Sequence, residues 1–258
     1  MGMLEHVQTG RENRPPRLMI YGQEGVGKST YGASAPDAIF IQTEDGLGEI
    51  NCHKFPLAKS LDEVLAELTA LRDEDHNYKT VVIDSADWLE RLIWDRVCTD
   101  FGVRSIEKAD GGYGKGYVHA VGYWRSVVSL LDDLRNKRGM IVIIIAHSKV
   151  ERFEDPENTA YDRYSPRLHK AATGLLCEWV DAVMFATKRF RVNKENAGFS
   201  GERGIAAPIG SNGGERILRT VGGPACIAKN RFGLPGEIPL SWDAFIEAYR
   251  ESTREGAA

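Results

Sequence analysis

Eight consecutive residues constrain this chain more than any others. Gly22-Gln23-Glu24-Gly25-Val26-Gly27-Lys28-Ser29 satisfies the pattern GxxxxGK[ST] in full. The run before it, Arg17 to Tyr21 (RLMIY), is short and apolar and stops at Gly22, which reads as a buried strand. The stretch after it reads as a helix that opens near Gly27 and must end before Pro36. A strand turning through glycines into a helix is the context this pattern requires. Glycines let backbone N–H groups close around phosphate oxygens, and the helix start adds a favourable dipole. There the ammonium of Lys28 reaches the β- and γ-phosphates and the Ser29 hydroxyl ligates Mg²⁺. Gly22, Gln23, Glu24, Gly25, Val26, Gly27, Lys28, Ser29 and Thr30 are therefore the expected binding residues for ATP with Mg²⁺.

The rest of the chain alternates. Ala38 to Thr43 (AIFIQT) reads as the next strand. Ser60-Leu61-Asp62-Glu63 has the form of a capping box, with Val64, Leu65, Leu68 and Leu71 at helical spacing behind it. Thr80 to Ile83 is a strand ending on Asp84, and Trp88, Leu89, Leu92, Ile93 and Val97 mark a helix. Residues 102–116 are glycine-rich and read as a loop before a longer helix through Val118, Trp124, Leu131 and Leu134. Met140 to Ala146 (MIVIIIA) is the most hydrophobic strand, of the kind buried on both faces of a parallel sheet. This order predicts an α/β fold, a mostly parallel central sheet flanked by helices. After about residue 178 the pattern turns to strands at Val180 to Thr187, Arg216 to Val221 and Ala225 to Lys229, then a helix capped by Ser241. The expected organisation is a loose leader (1–16), one domain (17–251) and a flexible tail (252–258).

Several residues at predicted strand ends carry chemistry. Asp84 stands where a carboxylate can hold Mg²⁺ through water, so Ser29 and Asp84 form the expected metal pair. Residue 85 is Ser, which leaves out the second acid of an Asp-Glu pair. A group that orients and activates water is then sought elsewhere, and Glu44 or Asp45, after the second strand, are the two choices. A solvated acidic turn is the bland reading of both. His147 follows the MIVIIIA strand and can sense a γ-phosphate by hydrogen bonding, or simply close the strand.

The order of phosphate loop, Thr43-Glu44-Asp45, Asp84 and then a strand leading to a polar sensor resembles the RecA core. It is especially similar to the small phage RecA-like ATPases of recombination and single-strand annealing. Ile227-Ala228-Lys229-Asn230-Arg231-Phe232-Gly233-Leu234-Pro235-Gly236 is similar to the AKxRxGxxG segment of hexameric replicative helicases. The resemblance covers roughly residues 17–240. It implies a RecA-like P-loop core with a strand-rich C-terminal extension of the same sheet. It further implies ATP hydrolysis, with Lys28, Asp84, Glu44 and His147 in the site. Lys229 and Arg231 would reach a neighbouring subunit's γ-phosphate in a ring or filament, so a homo-oligomer is implied as well. A single-strand-binding protein is a further candidate partner. Two departures, a chain without room for the extra domains of larger recombinases and a His sensor in place of Gln or Asn, bear on strand exchange more than on hydrolysis.

Composition limits how nucleic acid could bind. Lys and Arg total 33 against 37 Asp and Glu, a net charge of −4, so contacts must come from local segments. Three are candidates for single-stranded DNA. Residues 148–170 interleave Lys149, Arg152, Arg163, Arg167 and Lys170 with Phe153, Tyr161 and Tyr164, yet carry Glu151, Glu154, Asp155, Glu157 and Asp162. A solvated mobile loop fits that segment equally well. Residues 188–194 (KRFRVNK) are basic and read as one arm of a hairpin, and 102–116 offers Lys108, Tyr113 and Lys115. The four cysteines lie far apart, with no zinc or disulfide pattern. No run is long enough for a bilayer and no signal peptide is evident, so a soluble, cytoplasmic protein is expected, in a bacterial host if phage-encoded. Two other functions compete: an AAA+-type helicase loader or remodeller, and a nucleotide-gated scaffold in replication without useful turnover.

Overall fold

A computed structural model describes residues 2–7, 9–10, 12, 14–196, 202–208 and 214–255. Its centre is β5 (Ile141–Phe153), whose first half runs parallel to β1 (Arg17–Gly22) on one side and β4 (Thr80–Asp84) on the other. Beyond β4 lie β2 (Ala38–Gln42) and the short β3 (His53–Lys54), both parallel. Beyond β1 lies β7 (Ala182–Lys188), also parallel. The chain then adds β10 (Arg216–Arg219), β11 (Lys229–Asn230) and β12 (Glu237–Pro239) to that edge in antiparallel sense. The order is β12-β10-β7-β1-β5-β4-β2-β3, with β11 on β7. The expected fold class is the observed one, including the strand-rich extension of the same sheet.

Strict alternation explains why these runs are strands with both faces covered. Met19, Tyr21, Val81, Ile83, Val142 and Ile144 face one apolar cluster, filled by α2 (Leu61–Asp73), α3 (Ala86–Asp100), α4 (Lys115–Arg138) and α5 (Lys170–Trp179). Leu18, Ile20, Val82, Ile143 and Ile145 face the other, filled by α1 (Lys28–Ala33) and α6 (Trp242–Glu255). Each fully buried Ile or Leu contributes roughly 1.5–3 kcal/mol of transfer free energy, so a strand apolar on both faces is held at the centre. The capping box is present: Ser60 Oγ accepts from the Glu63 N–H at 3.2 Å, and Glu63 reaches back to the Lys59 N–H at 2.7 Å.

Three expectations are corrected. Residues 148–170 are not a loop: β5 continues to Phe153 and pairs antiparallel with β6 (Tyr161–Pro166), since Val150↔Tyr164 and its neighbours complete a ladder. Residues 102–116 hold a short 3₁₀ segment, Ile106–Gly111, anchored by buried Ile106 and Ala109, and α4 has already begun at Lys115. Of 225–229 only Lys229 joins a strand, because Ala225 and Ile227 instead bond the backbone of Tyr164 on β6 as an isolated bridge. At the C-terminal end α6 continues through Glu255, and 256–258 lie outside the described residues. The predicted hairpin at 188–194 is present as β8 (Phe190–Asn196) paired with β9 (Glu202–Pro208).

Gly22 shows how tightly β1 is fitted. A Cβ there would stand 2.2 Å from the Ala186 carbonyl oxygen on β7, so the first glycine of the motif is demanded by the sheet itself. Gly22→Ala should cost about 1–3 kcal/mol of stability, as overpacking against backbone does. Urea unfolding of the two proteins would measure it, and an unchanged midpoint would contradict the fit.

Candidate functional site

Register brings the predicted residues to one edge. Gly22 pairs with His147, and Asp84 pairs with Gln42 and Ile145, so β1, β2 and β4 end together beside residues 145–147 of β5. Beyond Gln42 the ladder continues, with the Thr43 N–H donating to the Asp84 carbonyl at 2.9 Å. The Thr43 hydroxyl accepts from the Ser85 N–H (3.0 Å) and donates to the Ser85 carbonyl (2.7 Å), locking the turn after Asp84. The Asp84–Ser85 peptide is cis. A cavity of about 360 Å³ opens at this edge, lined by Lys28, Ser29, Thr30, Glu44, Asp84 and His147 among others.

The phosphate loop is preformed. Gly25 and Gly27 take φ of 69° and 107°, a left-handed backbone that favours glycine, and buried Val26 anchors the loop in the core. Among the described residues, the N–H groups of residues 25–30 donate to no other backbone or side-chain group. Lys28 is buried and its ammonium donates to the Gly22 and Gln23 carbonyls at 3.0 and 2.9 Å. Burial lowers its pKa, opposed by the charges of Asp84, Asp87, Glu24 and Glu44. Unpaired amides around a buried ammonium make a cradle fitted to an anion.

The acids divide into distinct roles. Asp84 is buried, and that burial lifts its pKa to about 6, against a hydrogen bond from Ser29 and with help from the Glu44 charge. A hydroxyl and a hard carboxylate side by side, in a site that disfavours the bare charge, is a donor set suited to Mg²⁺. Glu44 lines the cavity and accepts from Ser85 Oγ at 2.8 Å, whereas Asp45 is exposed and lies outside the lining. His147 turns Nδ1 to Asp87, 3.1 Å from each carboxylate oxygen, and its N–H donates to the same group at 3.0 Å.

Asp87 is a residue that sequence reasoning missed. Burial alone would raise its carboxyl, but hydrogen bonds from the His147 side chain and backbone and from Arg167 hold it well below the usual range. Arg167 donates to it at 2.8 and 3.2 Å and lies 3.4 Å from Glu24 of the phosphate loop. Asp87 follows Asp84 by three residues, so its place at a helix start was visible, but its partners are 60 and 80 residues away. Ser85 and Arg216, which also lines the cavity, were missed for the same reason.

Lys229 and Arg231 lie elsewhere. Lys229 pairs with Val183 near the start of β7 and gives its ammonium to the carbonyls of Cys177, Glu178 and Val180 at 2.7–2.8 Å, closing the C-terminus of α5. Arg231 is half exposed, 3.3 Å from the Glu178 carbonyl and 3.7 Å from Asp181.

The candidate DNA segments also differ. In 148–170 the basic groups are largely paired: Arg163 with Glu151 at 3.1 Å, Arg152 with Glu154 and Asp162 at 3.5 and 3.8 Å, and Arg167 with Asp87. In 188–194, Arg189 binds Glu215 and Glu237 at 2.8 Å each, while the side chains of 190–194 lie outside the described residues. In 102–116 the ring of Tyr113 is fully exposed. It sits in a run, Asp110 to Gly114, in which every residue has positive φ, with Lys108 and Lys115 exposed nearby.

The fold and site together define a P-loop protein of the α/β class, with a cavity fitted to a nucleotide's phosphates. The chain belongs to the AAA domain family designated AAA_24, whose model matches residues 14–232. It is 24% identical over 155 residues to the SPbeta prophage-derived uncharacterized protein YorG of Bacillus subtilis (strain 168). That match takes in 58% of this chain, which spans 45% of the length of that relative. Among solved structures, the crystal structure of the RadB recombinase aligns with a TM-score of 0.47 over 88% of each chain, at 14% identity. Among the described residues no helix is long and apolar enough to cross a membrane.

One turn beyond Asp87, buried Glu90 supplies a pH test of the site's supporting helix. It accepts from the His169 N–H at 2.9 Å, and burial raises its pKa from 4.5 to about 7 against that bond and the charge of Lys149. The native state therefore holds an extra proton between those values, and stability falls as pH rises through that window. Glu90→Gln keeps an acceptor oxygen and removes the buried charge. It should be more stable than the parent by about 1–3 kcal/mol at pH 8, and the advantage should vanish near pH 4. Urea unfolding at the two pH values decides it.

Proposed function

We propose that this protein is an Mg²⁺-dependent ATPase acting on single-stranded DNA in recombination or strand annealing, as an oligomer. The observation that supports it best is the meeting of Lys28, Ser29 with Asp84, Glu44 and His147 on one cavity at the carboxyl edge of the sheet. Ser29 and Asp84 are the residues that would hold Mg²⁺, which would supply charge neutralisation to the bound polyphosphate. Lys28 would trade its two loop carbonyls for phosphate oxygens. Glu44, oriented by Ser85, would position and activate the attacking water.

His147 fits the sensor role. With Nδ1 directed at Asp87, Nε2 is left for the cavity, and Asp87 fixes which nitrogen carries the proton. Arg167, bonded to Asp87 and near Glu24, links the same carboxylate to the β5–β6 hairpin.

The neighbouring subunit would complete the site with Arg231, which is half exposed and far from its own phosphate loop. In that reading Lys229, with its three bonds to the end of α5, holds the segment in place. Of the three DNA segments, 102–116 has the best support, because an exposed ring on a defined turn can stack a base while Lys108 and Lys115 meet phosphates. The prophage origin of the YorG relative suits a phage-encoded protein working in a bacterial cytoplasm, where a single-strand-binding protein would be a natural partner. The loader or remodeller reading is less well supported, since the chain beyond β7 builds strands and one helix in place of a helical lid.

Steady-state ATP hydrolysis with no nucleic acid, with single strands and with duplex tests the proposal. Single strands should stimulate turnover severalfold over duplex, and Tyr113→Ala should remove most of that stimulation. A rate indifferent to DNA would remove DNA from the function, and no turnover at all would favour the scaffold reading. Two substitutions test the roles of residues. Glu44→Gln should lower kcat about 10²-fold or more with nucleotide affinity retained, as loss of a general base does. Arg231→Ala should lower kcat about 10³-fold, as loss of an arginine finger does. Full turnover in the Arg231→Ala protein would end the trans-finger role.

A further inference from the structure

The nucleotide cavity has a second cationic wall that the proposed function does not use. Arg216 opens β10, antiparallel to β7 with Arg216 opposite Lys188, so it lies at the sheet edge where β1 stops. Its backbone is held from the other side, the Leu240 N–H donating to the Arg216 carbonyl at 3.0 Å. Its guanidinium reaches over the phosphate loop, Nη1 standing 3.0 Å from where a Cβ on Gly27 would be. Gly27 thus serves two needs, a left-handed backbone and space for the arginine.

The acids nearest along the chain are engaged elsewhere. Glu215 binds Arg189 at 2.8 Å, and Glu237 binds Arg189 and Arg219 at 2.8 and 3.3 Å. Among the described residues no carboxylate lies within ion-pair distance of Arg216. The cavity lining carries three carboxylates, Glu24, Glu44 and Asp84, against the cations Lys28 and Arg216. A polyphosphate entering it adds further negative charge, which a planar guanidinium fork is shaped to receive.

We propose that Arg216 is a second phosphate-binding residue, acting from the same chain as Lys28 on the polyphosphate of the bound nucleotide. The proposal rests on the nucleotide-binding reading above and adds to it a residue from outside the motif. Because it concerns phosphate, the contact is indifferent to the base.

The test is titration of the full chain with fluorescent methylanthraniloyl derivatives of ATP and GTP, with Mg²⁺ present. Wild type, Lys28→Ala, Arg216→Ala, Arg216→Gln and Arg216→Lys are compared. Arg216→Ala and Arg216→Gln should each raise Kd for both nucleotides about tenfold or more, as expected for a lost charge-assisted contact. Arg216→Lys should recover part of that loss. Arg216 is exposed, so the variants should melt with the wild type, and Arg216→Gln, which retains the stem, serves if the alanine protein does not fold. Unchanged affinity in Arg216→Gln would overturn the proposal while leaving nucleotide binding intact. A loss confined to one of the two bases would overturn it in favour of base recognition. Failure of wild type to bind either nucleotide would overturn the nucleotide reading, and this proposal with it.

Discussion

The pairing of β5 with β1 on one side and β4 on the other fixes where every chemical group in this protein stands. Parallel strands share a direction, so their carboxyl ends, and the turns that follow, collect at one edge. With β5 apolar on both faces, a slip of one residue would move its side chains to the opposite apolar cluster and disturb both sides of the sheet. The register that avoids this sets Gly22 beside His147 and Asp84 beside Ile145. The geometry of the site is thus a by-product of apolar packing, and the loops after those strands need only carry the right side chains.

Gathering charge at that edge has an electrostatic cost, and the structure meets it unevenly. Asp87 is buried yet kept ionised, because His147 and Arg167 donate to both of its oxygens. Asp84 is buried with much less compensation, its carboxyl lifted to about 6 beside Glu44. The ammonium of Lys28 is likewise depressed by burial and bonded only to loop carbonyls. The well-satisfied carboxylate supports the site, and the poorly satisfied groups are those that would meet ligand. Such an arrangement keeps differential binding energy for the moment a cation and a phosphate arrive.

Much of this was legible in the sequence, and the reason is locality. The phosphate loop, the helix after Ser60 and the strand ending on Asp84 are each specified by residues within one short window. The alternation of strands and helices then selects an α/β sheet from few alternatives. What was illegible depends on long-range pairing. That 148–170 folds as a hairpin follows from the antiparallel register that sets Val150 opposite Tyr164, which neither segment's composition announces. Asp87 looks like any acid at a helix start until β5 brings His147 to it. Arg216 is a single arginine opening a four-residue strand, and only the antiparallel return beside β7 lays it over Gly27. That Glu44 lines the cavity while Asp45 faces solvent depends on the turn itself, which the sequence does not show.

The positions of Lys229 and Arg231 show how the fold limits what each of them can reach. The phosphate loop leaves β1 beside Ala186, while the Arg231 N–H donates to the Asp181 carbonyl, before the first residue of β7. Five residues of extended strand separate the two levels, roughly 17 Å at the usual rise. No rotamer of Arg231 spans that distance through a packed sheet to reach phosphate on its own chain. A cation so placed either does nothing for nucleotide or serves the site of another copy. The three carbonyls bonded by Lys229 favour a segment built to be held still. Rigidity is what a residue working across an interface requires, since the proposed site closes only when both surfaces are already in shape.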